Sequence, residues 1–132
     1  MTNWTHNGKL VTTVPDGIIG FVYLITDKYN NKKYIGKKLA VTTKKMPPLK
    51  GKTRKRHKRV DTDWQSYWGS NDKLNAEVAL RGEHWFTREI LHWCENKNQM
   101  SYWEAREQFN RNVLLDNTYY NGIIHCRVSA RG

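Results

Sequence analysis

Ile18-Ile19-Gly20-Phe21-Val22-Tyr23-Leu24-Ile25-Thr26, then Asp27-Lys28-Tyr29-Asn30-Asn31-Lys32, then Lys33-Tyr34-Ile35-Gly36, is the stretch that decides the fold. The first nine residues are apolar and rich in β-formers, which predicts a buried strand. The middle six, with Asn30-Asn31 at their centre, have turn composition. Lys33–Gly36 then reads as the return strand of a central hairpin, and so short a connection joins antiparallel neighbours.

Upstream, Asn7-Gly8 lies between short apolar and β-branched stretches, the signal of a second hairpin. Pro15-Asp16-Gly17 ends it, so residues 1–17 form an N-terminal extension. Downstream, residues 37–60 hold Met46-Pro47-Pro48-Leu49-Lys50-Gly51, where prolines without donors exclude helix interior and predict a loop that orders on binding or wraps on the surface. Ser70 or Asn71 can cap a helix to about Leu80, closed by Gly82. His84–Trp93 reads as a strand and Asn96–Gln99 as a turn. Ser101-Tyr102-Trp103-Glu104 has the capping-box pattern and opens a helix to about Leu115, with Tyr102, Ala105, Phe109 and Val113 at helical spacing. A loop over Asn117–Gly122 and an edge strand over Ile123–Val128 complete the chain. The expected fold is α+β, a small central antiparallel sheet of about three strands flanked by helices. Trp64, Trp68, Trp85, Trp93 and Trp103 are expected in its core.

The 132 residues allow a single domain over 1–132, and 16 aromatic side chains give it apolar mass enough for one core. No run of about 18 apolar residues exists, so no membrane span is expected. The first ten residues lack the apolar segment of a secretory signal, which implies a cytoplasmic protein. Cys94 and Cys126 are expected as free thiols, and His6, His57, His84, His92 and His125 fall in no zinc-binding pattern. Charge is concentrated: the net charge is +11, yet Lys28 through Arg59 alone carry 14 positive charges with no acid between Asp27 and Asp61. An internal basic block of this density points to a polyanion, nucleic acid first.

Tyr23, with ten residues before Tyr34-Ile35-Gly36, resembles the paired motifs of the GIY-YIG nuclease superfamily. Tyr67-Trp68-Gly69-Ser70, Phe86-Thr87-Arg88-Glu89-Ile90-Leu91, Glu104-Ala105 and Tyr119-Tyr120-Asn121-Gly122 resemble later landmarks of its phage-encoded, homing-type members. Together these stretches span residues 18–124. Two positions depart from the pattern. The first motif reads Phe21-Val22-Tyr23, and Lys44 stands where members commonly carry an arginine, the first arginines after the motif being Arg54 and Arg56.

The resemblance implies a metal-dependent endonuclease acting on double-stranded DNA, in the cytoplasm of a bacterial host if phage-encoded. Glu104 would be the single carboxylate holding magnesium (Mg2+) or manganese (Mn2+), with Glu107 as the alternate ligand. A lone carboxylate suits magnesium, which keeps most of its waters. Tyr23 and Tyr34 would activate or orient the attacking water, in an order left open. Arg54 or Arg56 would stabilise phosphoryl charge, and Asn121 would support the glutamate or metal waters. Lys37, Lys44, Lys45, Lys50, Lys52, Lys55, Lys58 and Arg59 are expected on backbone phosphates, with His57 among them. Each residue has a plainer role as well: a cap for Glu104, strand aromatics for the tyrosines, a turn for Asn121. At the level of the chain, a non-catalytic basic nucleic-acid-binding protein and a restriction-type nuclease of the same fold are the alternatives. A homodimer is left open. After Gly122 there is no room for a separate recognition domain, so specificity is expected from the basic loop, the N-terminal hairpin or a dimer.

Overall fold

The structure is a computed structural model, and it describes residues 3–54 and 56–130. The expected hairpin is its spine: β3 (Gly20–Asp27) pairs antiparallel with β4 (Lys33–Leu39), placing Tyr23 opposite Gly36. Asn31 closes the turn with a positive φ of 61°, a conformation asparagine tolerates better than most residues. On the other side β3 pairs antiparallel with β7 (Phe86–Cys94), with a register shift between Val22 and Tyr23.

The sheet has five strands rather than about three, in the order β2 (Lys9–Val11), β1 (Trp4–His6), β7, β3, β4. The N-terminal hairpin forms as expected, with β1 and β2 turning at Asn7-Gly8. It is part of the sheet, because β1 runs parallel to β7 through Trp4–Arg88 and Thr5–Glu89. Trp4 accounts for the docking. It is buried, and its indole N–H donates to the Trp64 carbonyl at 2.9 Å. Arg88 is buried beside it with its guanidinium over the Trp4 and Trp68 rings at 4.7 and 4.3 Å, a cation–π sandwich. Burial lowers the Arg88 pKa to about 10, Glu83 acting against that fall, which still leaves the group charged at neutral pH.

One face of the sheet packs Phe21, Tyr23, Ile25 and Ile90 against Trp64 and against Leu74 and Val78 of α1 (Asp72–Arg81). The other packs Val22, Leu24 and Ile35 against Met100 of α2 (Lys97–Asn110). Asn71 rather than Ser70 caps α1, its side chain accepting from the Leu74 N–H at 3.0 Å. The second helix starts five residues earlier than the Ser101 capping box implies. Asn96 accepts from the Gln99 N–H at 2.8 Å while the Gln99 side chain accepts from the Glu95 N–H at 2.8 Å. That exchange satisfies orphan donors one turn upstream, and it leaves Glu104 in mid-helix with no capping role.

The basic block also differs from expectation. Instead of a loop throughout, it contains an antiparallel ribbon of β5 (Val41–Met46) and β6 (Arg56–Asp61), separate from the main sheet. Val41-Thr42-Thr43 supply the β-branched start, and Pro47-Pro48 stand at the turn, where no ladder donor is needed. Residues 123–128 form no strand, and α2 ends at Asn110 with turns to Leu115. Trp85 is 41% exposed, whereas Trp64 is fully buried. Cys94 and Cys126 are both free thiols. Among the described residues, no helix is long and apolar enough to cross a membrane.

Candidate active site

β4 is an edge of the sheet, and its outer side is where the site forms. Residues 118–121 run along this edge. Lys33 N–H donates to the Thr118 carbonyl and Tyr120 N–H to the Lys33 carbonyl, each at 2.8 Å. Asn121 continues the ladder with its side chain. Its Oδ1 accepts from Ile35 N–H at 3.0 Å and its Nδ2 donates to the Ile35 carbonyl at 2.8 Å. Gln108 of α2 donates to the same carbonyl at 3.2 Å. The edge is thereby paired up to Ile35, and at Lys37 its backbone N–H faces the Glu104 carboxylate instead of another strand.

A cleft of about 450 Å³ lies beside this edge, bordered by Tyr34, Lys37, Ser70, Glu104, Asn121 and His125, among others. Four residues expected in the site from the sequence are thus together in one place: Tyr34, Lys37, Glu104 and Asn121. The Lys37 ammonium lies 3.9 Å from the Glu104 carboxylate and donates to Ser101 Oγ at 2.9 Å. The Glu104 side chain is only 13% exposed. Burial raises its pKa above the ordinary glutamate value, opposed by Lys37, by His125 and by the Lys37 backbone N–H. Burial outweighs these three positive influences.

Tyr34 is half-buried and its hydroxyl lies 3.1 Å from Ser70 Oγ. Burial raises its pKa, the Ser70 contact counters that, and Glu104 adds to it. Tyr23 lies behind it, the ring centroids 6.2 Å apart, and is 1% exposed. Its pKa is raised well above the ordinary value by burial and by the neighbouring Tyr67 and Tyr34. Its hydroxyl is directed at Gly36, where an added Cβ would collide with it and would come within 2.6 Å of Tyr23 Cζ and 3.0 Å of Tyr34 Cε2. Gly69, at a φ of 90°, brings its loop over the same hydroxyl. Both glycines therefore make room for Tyr23, and Tyr23 in turn backs the ring of Tyr34.

Several expected residues lie elsewhere. Glu107 accepts from His92 at 2.8 Å and from Arg111 at 3.0 Å, and it does not border the cleft. Arg54 and Arg56 belong to the end of the ribbon, Arg56 donating to the Pro47 carbonyl at 3.3 Å, and neither borders the cleft. Lys44, Lys45, His57, Lys58 and Arg59 are on the ribbon strands and Lys50 and Lys52 on its connecting turn. Lys55 lies outside the described residues. Ser70 and His125 were not expected at the site. Ser70 reads as a cap until Asn71 is seen to take that role, and His125 reaches Glu104 only through the fold of the chain after Gly122, which carries no local signal.

Among the described residues, no cluster of three or more His, Cys, Asp or Glu side chains converges. The cleft instead offers one carboxylate and the hydroxyls of Tyr34 and Ser70, with His125 beside them. An oxygen-rich set with a single anion fits a hard divalent cation that keeps most of its water.

The family model described as "Putative endonuclease segE, GIY-YIG domain" matches residues 4–124. Neither the curated proteins nor the solved structures contain a match to the chain. The matched span runs from the docking Trp4, through the Tyr23–Tyr34 hairpin and Glu104, to the Asn121 that closes the sheet edge. The chain belongs to the GIY-YIG nuclease family, as a domain of the segE endonuclease type.

Proposed function

We propose that the protein is a divalent-metal-dependent endonuclease that hydrolyses phosphodiester bonds of double-stranded DNA, in a phage or mobile-element homing role. The observation that carries this reading is the half-buried Glu104, the carboxylate bordering a cleft that also presents Tyr34 and Lys37. Glu104 would hold Mg2+ or Mn2+. Bound there, the ion would supply neutralisation of phosphoryl charge and Lewis acidity. Lys37 attracts the scissile phosphate into the cleft, the part the resemblance assigned to an arginine. Arg54 and Arg56 then contribute with the rest of the ribbon to holding the duplex.

The Tyr34 hydroxyl is the group that touches the attacking water. With its pKa raised it is protonated at neutral pH, so it orients water by hydrogen bonding with Ser70 rather than by acting as a phenolate. A cation held by Glu104 would offset the part of that upward shift that Glu104 contributes. Tyr23, buried and still harder to ionise, positions Tyr34 and does no chemistry itself. Asn121 holds the sheet edge. One site per chain cuts one strand, so a double-strand break takes two chains or two encounters. The test is cleavage of supercoiled plasmid with Mg2+ and with chelator, by the wild-type chain and by Glu104→Gln. Nicking by the wild type with Mg2+ alone is expected. Equal nicking by the folded variant would remove Glu104 from the mechanism.

A further inference from the structure

We infer that the β5–β6 ribbon enters the major groove and reads base edges with the face that carries Lys44 and Lys58. The inference rests on the proposed DNA substrate and goes beyond it, from holding a duplex to recognising its sequence. Six residues per strand make a ribbon about 20 Å long. A two-stranded ribbon fits the major groove, about 12 Å wide, and not the minor groove at about 6 Å. Cross-strand pairing sorts its side chains onto two faces. Thr42–Val60, Lys44–Lys58 and Met46–Arg56 share one; Val41–Asp61, Thr43–Arg59 and Lys45–His57 share the other.

The second face is tied to the body of the domain, because Val41 is buried and Arg59 donates to the Ile18 carbonyl. The first is free of such ties along Lys44 and Lys58. These two cations stand directly opposite each other, an arrangement that destabilises an isolated ribbon. Among the described residues neither of them, nor Lys45 nor Arg56, has an ion-pair partner. Negative potential from outside the chain is what this pair lacks, and the groove floor supplies it at guanine O6 and N7, the acceptors that lysine reads best.

The test uses the full chain in chelator, so that DNA is bound and not cut. Duplexes selected from a random pool by the wild type are expected to share a guanine-containing motif. Methylating N7 of those guanines should weaken binding by about tenfold or more, while netropsin, which fills the minor groove, should leave it unchanged. Lys44→Gln/Lys58→Gln should select a pool without the motif, and Lys45→Gln/His57→Gln should retain the motif at reduced affinity. Selection of the same motif by the first double variant would overturn the inference. Loss of binding to netropsin but not to N7 methylation would do so as well, as would a wild-type pool with no motif. Binding and nicking without groove selectivity would leave the nuclease reading standing. Absence of any duplex binding would end both.

Discussion

Asn121 and Ile35 are joined by two hydrogen bonds, amide oxygen to backbone N–H at 3.0 Å and amide nitrogen to backbone carbonyl at 2.8 Å. A side chain here does the work of a strand, satisfying the edge beside the Tyr34 motif. Asn121→Asp keeps the shape but turns a donor into an acceptor facing the Ile35 carbonyl. Leaving that buried pair unmatched should cost about 1–3 kcal/mol in urea unfolding. An unchanged midpoint would return Asn121 to the role of a ligand or turn residue.

The two glutamates of α2 should respond to pH in opposite senses. Burial raises the Glu104 pKa, so its ionisation costs stability above the ordinary glutamate range and costs nothing below it. Glu104→Gln should therefore raise the melting temperature of the metal-free chain at neutral pH, the gain disappearing as pH falls below about 4.5. For Glu107, burial acts upward but His92 and Arg111 outweigh it and hold the pKa low. Its stabilisation is present above the ordinary range and lost as pH falls through the lowered value. Glu107→Gln should cost at most about 1 kcal/mol at neutral pH, as for other partly exposed pairs. Thermal melts from pH 3 to 8 check both signs.

Activity should separate the same two residues. Glu107→Gln leaves the cleft intact and should cleave plasmid at close to the wild-type rate with Mg2+. A loss as deep as that of Glu104→Gln would make both of them part of one site.

Tyr34→Phe removes a hydroxyl whose protein partner is Ser70 and keeps the ring that packs on Tyr23. Cleavage should fall by about 10²-fold, the scale of losing the positioning of a reacting group, with the melting temperature nearly unchanged. Tyr23→Phe should do the reverse, altering stability more than rate. Rates of both variants under single-turnover conditions, set beside their melts, decide the assignment.

Binding should be strongly salt-dependent. Between 50 and 200 mM salt, 6–10 phosphate contacts lower affinity by about 10³–10⁵-fold. A flat profile in fluorescence anisotropy would mean that the ribbon does not face the duplex.

Much of this arrangement was legible from local pattern. The hairpin over 18–36 declared itself through β-branched runs and Asn30-Asn31, and Glu104, Tyr34 and Lys37 were marked by the resemblance of their stretches to family motifs. What failed were decisions made between nearby competitors or at long range. Asn96–Gln99 reads as a turn but is the capped start of the helix, where Asn96 accepts from the Gln99 N–H and the Gln99 side chain from the Glu95 N–H. The ribbon was hidden because Pro47-Pro48 dominates its neighbourhood, although they occupy only its turn. The joining of β1 to β7 depends on Trp4 meeting Trp64, sixty residues away, and His125 comes to Glu104 by a path no local pattern marks.

The steric contact between Tyr23 and Gly36 makes the two halves of the motif one inheritable unit. In a library randomised at both positions, survivors would not sort independently. A side chain larger than hydrogen at 36 would appear only with a residue smaller than tyrosine at 23, and such pairs would loosen the backing of Tyr34 as they restored the fold. The glycine of the return strand is thus sterically tied to an aromatic thirteen positions earlier, and changing either alone would disturb the packing behind Tyr34.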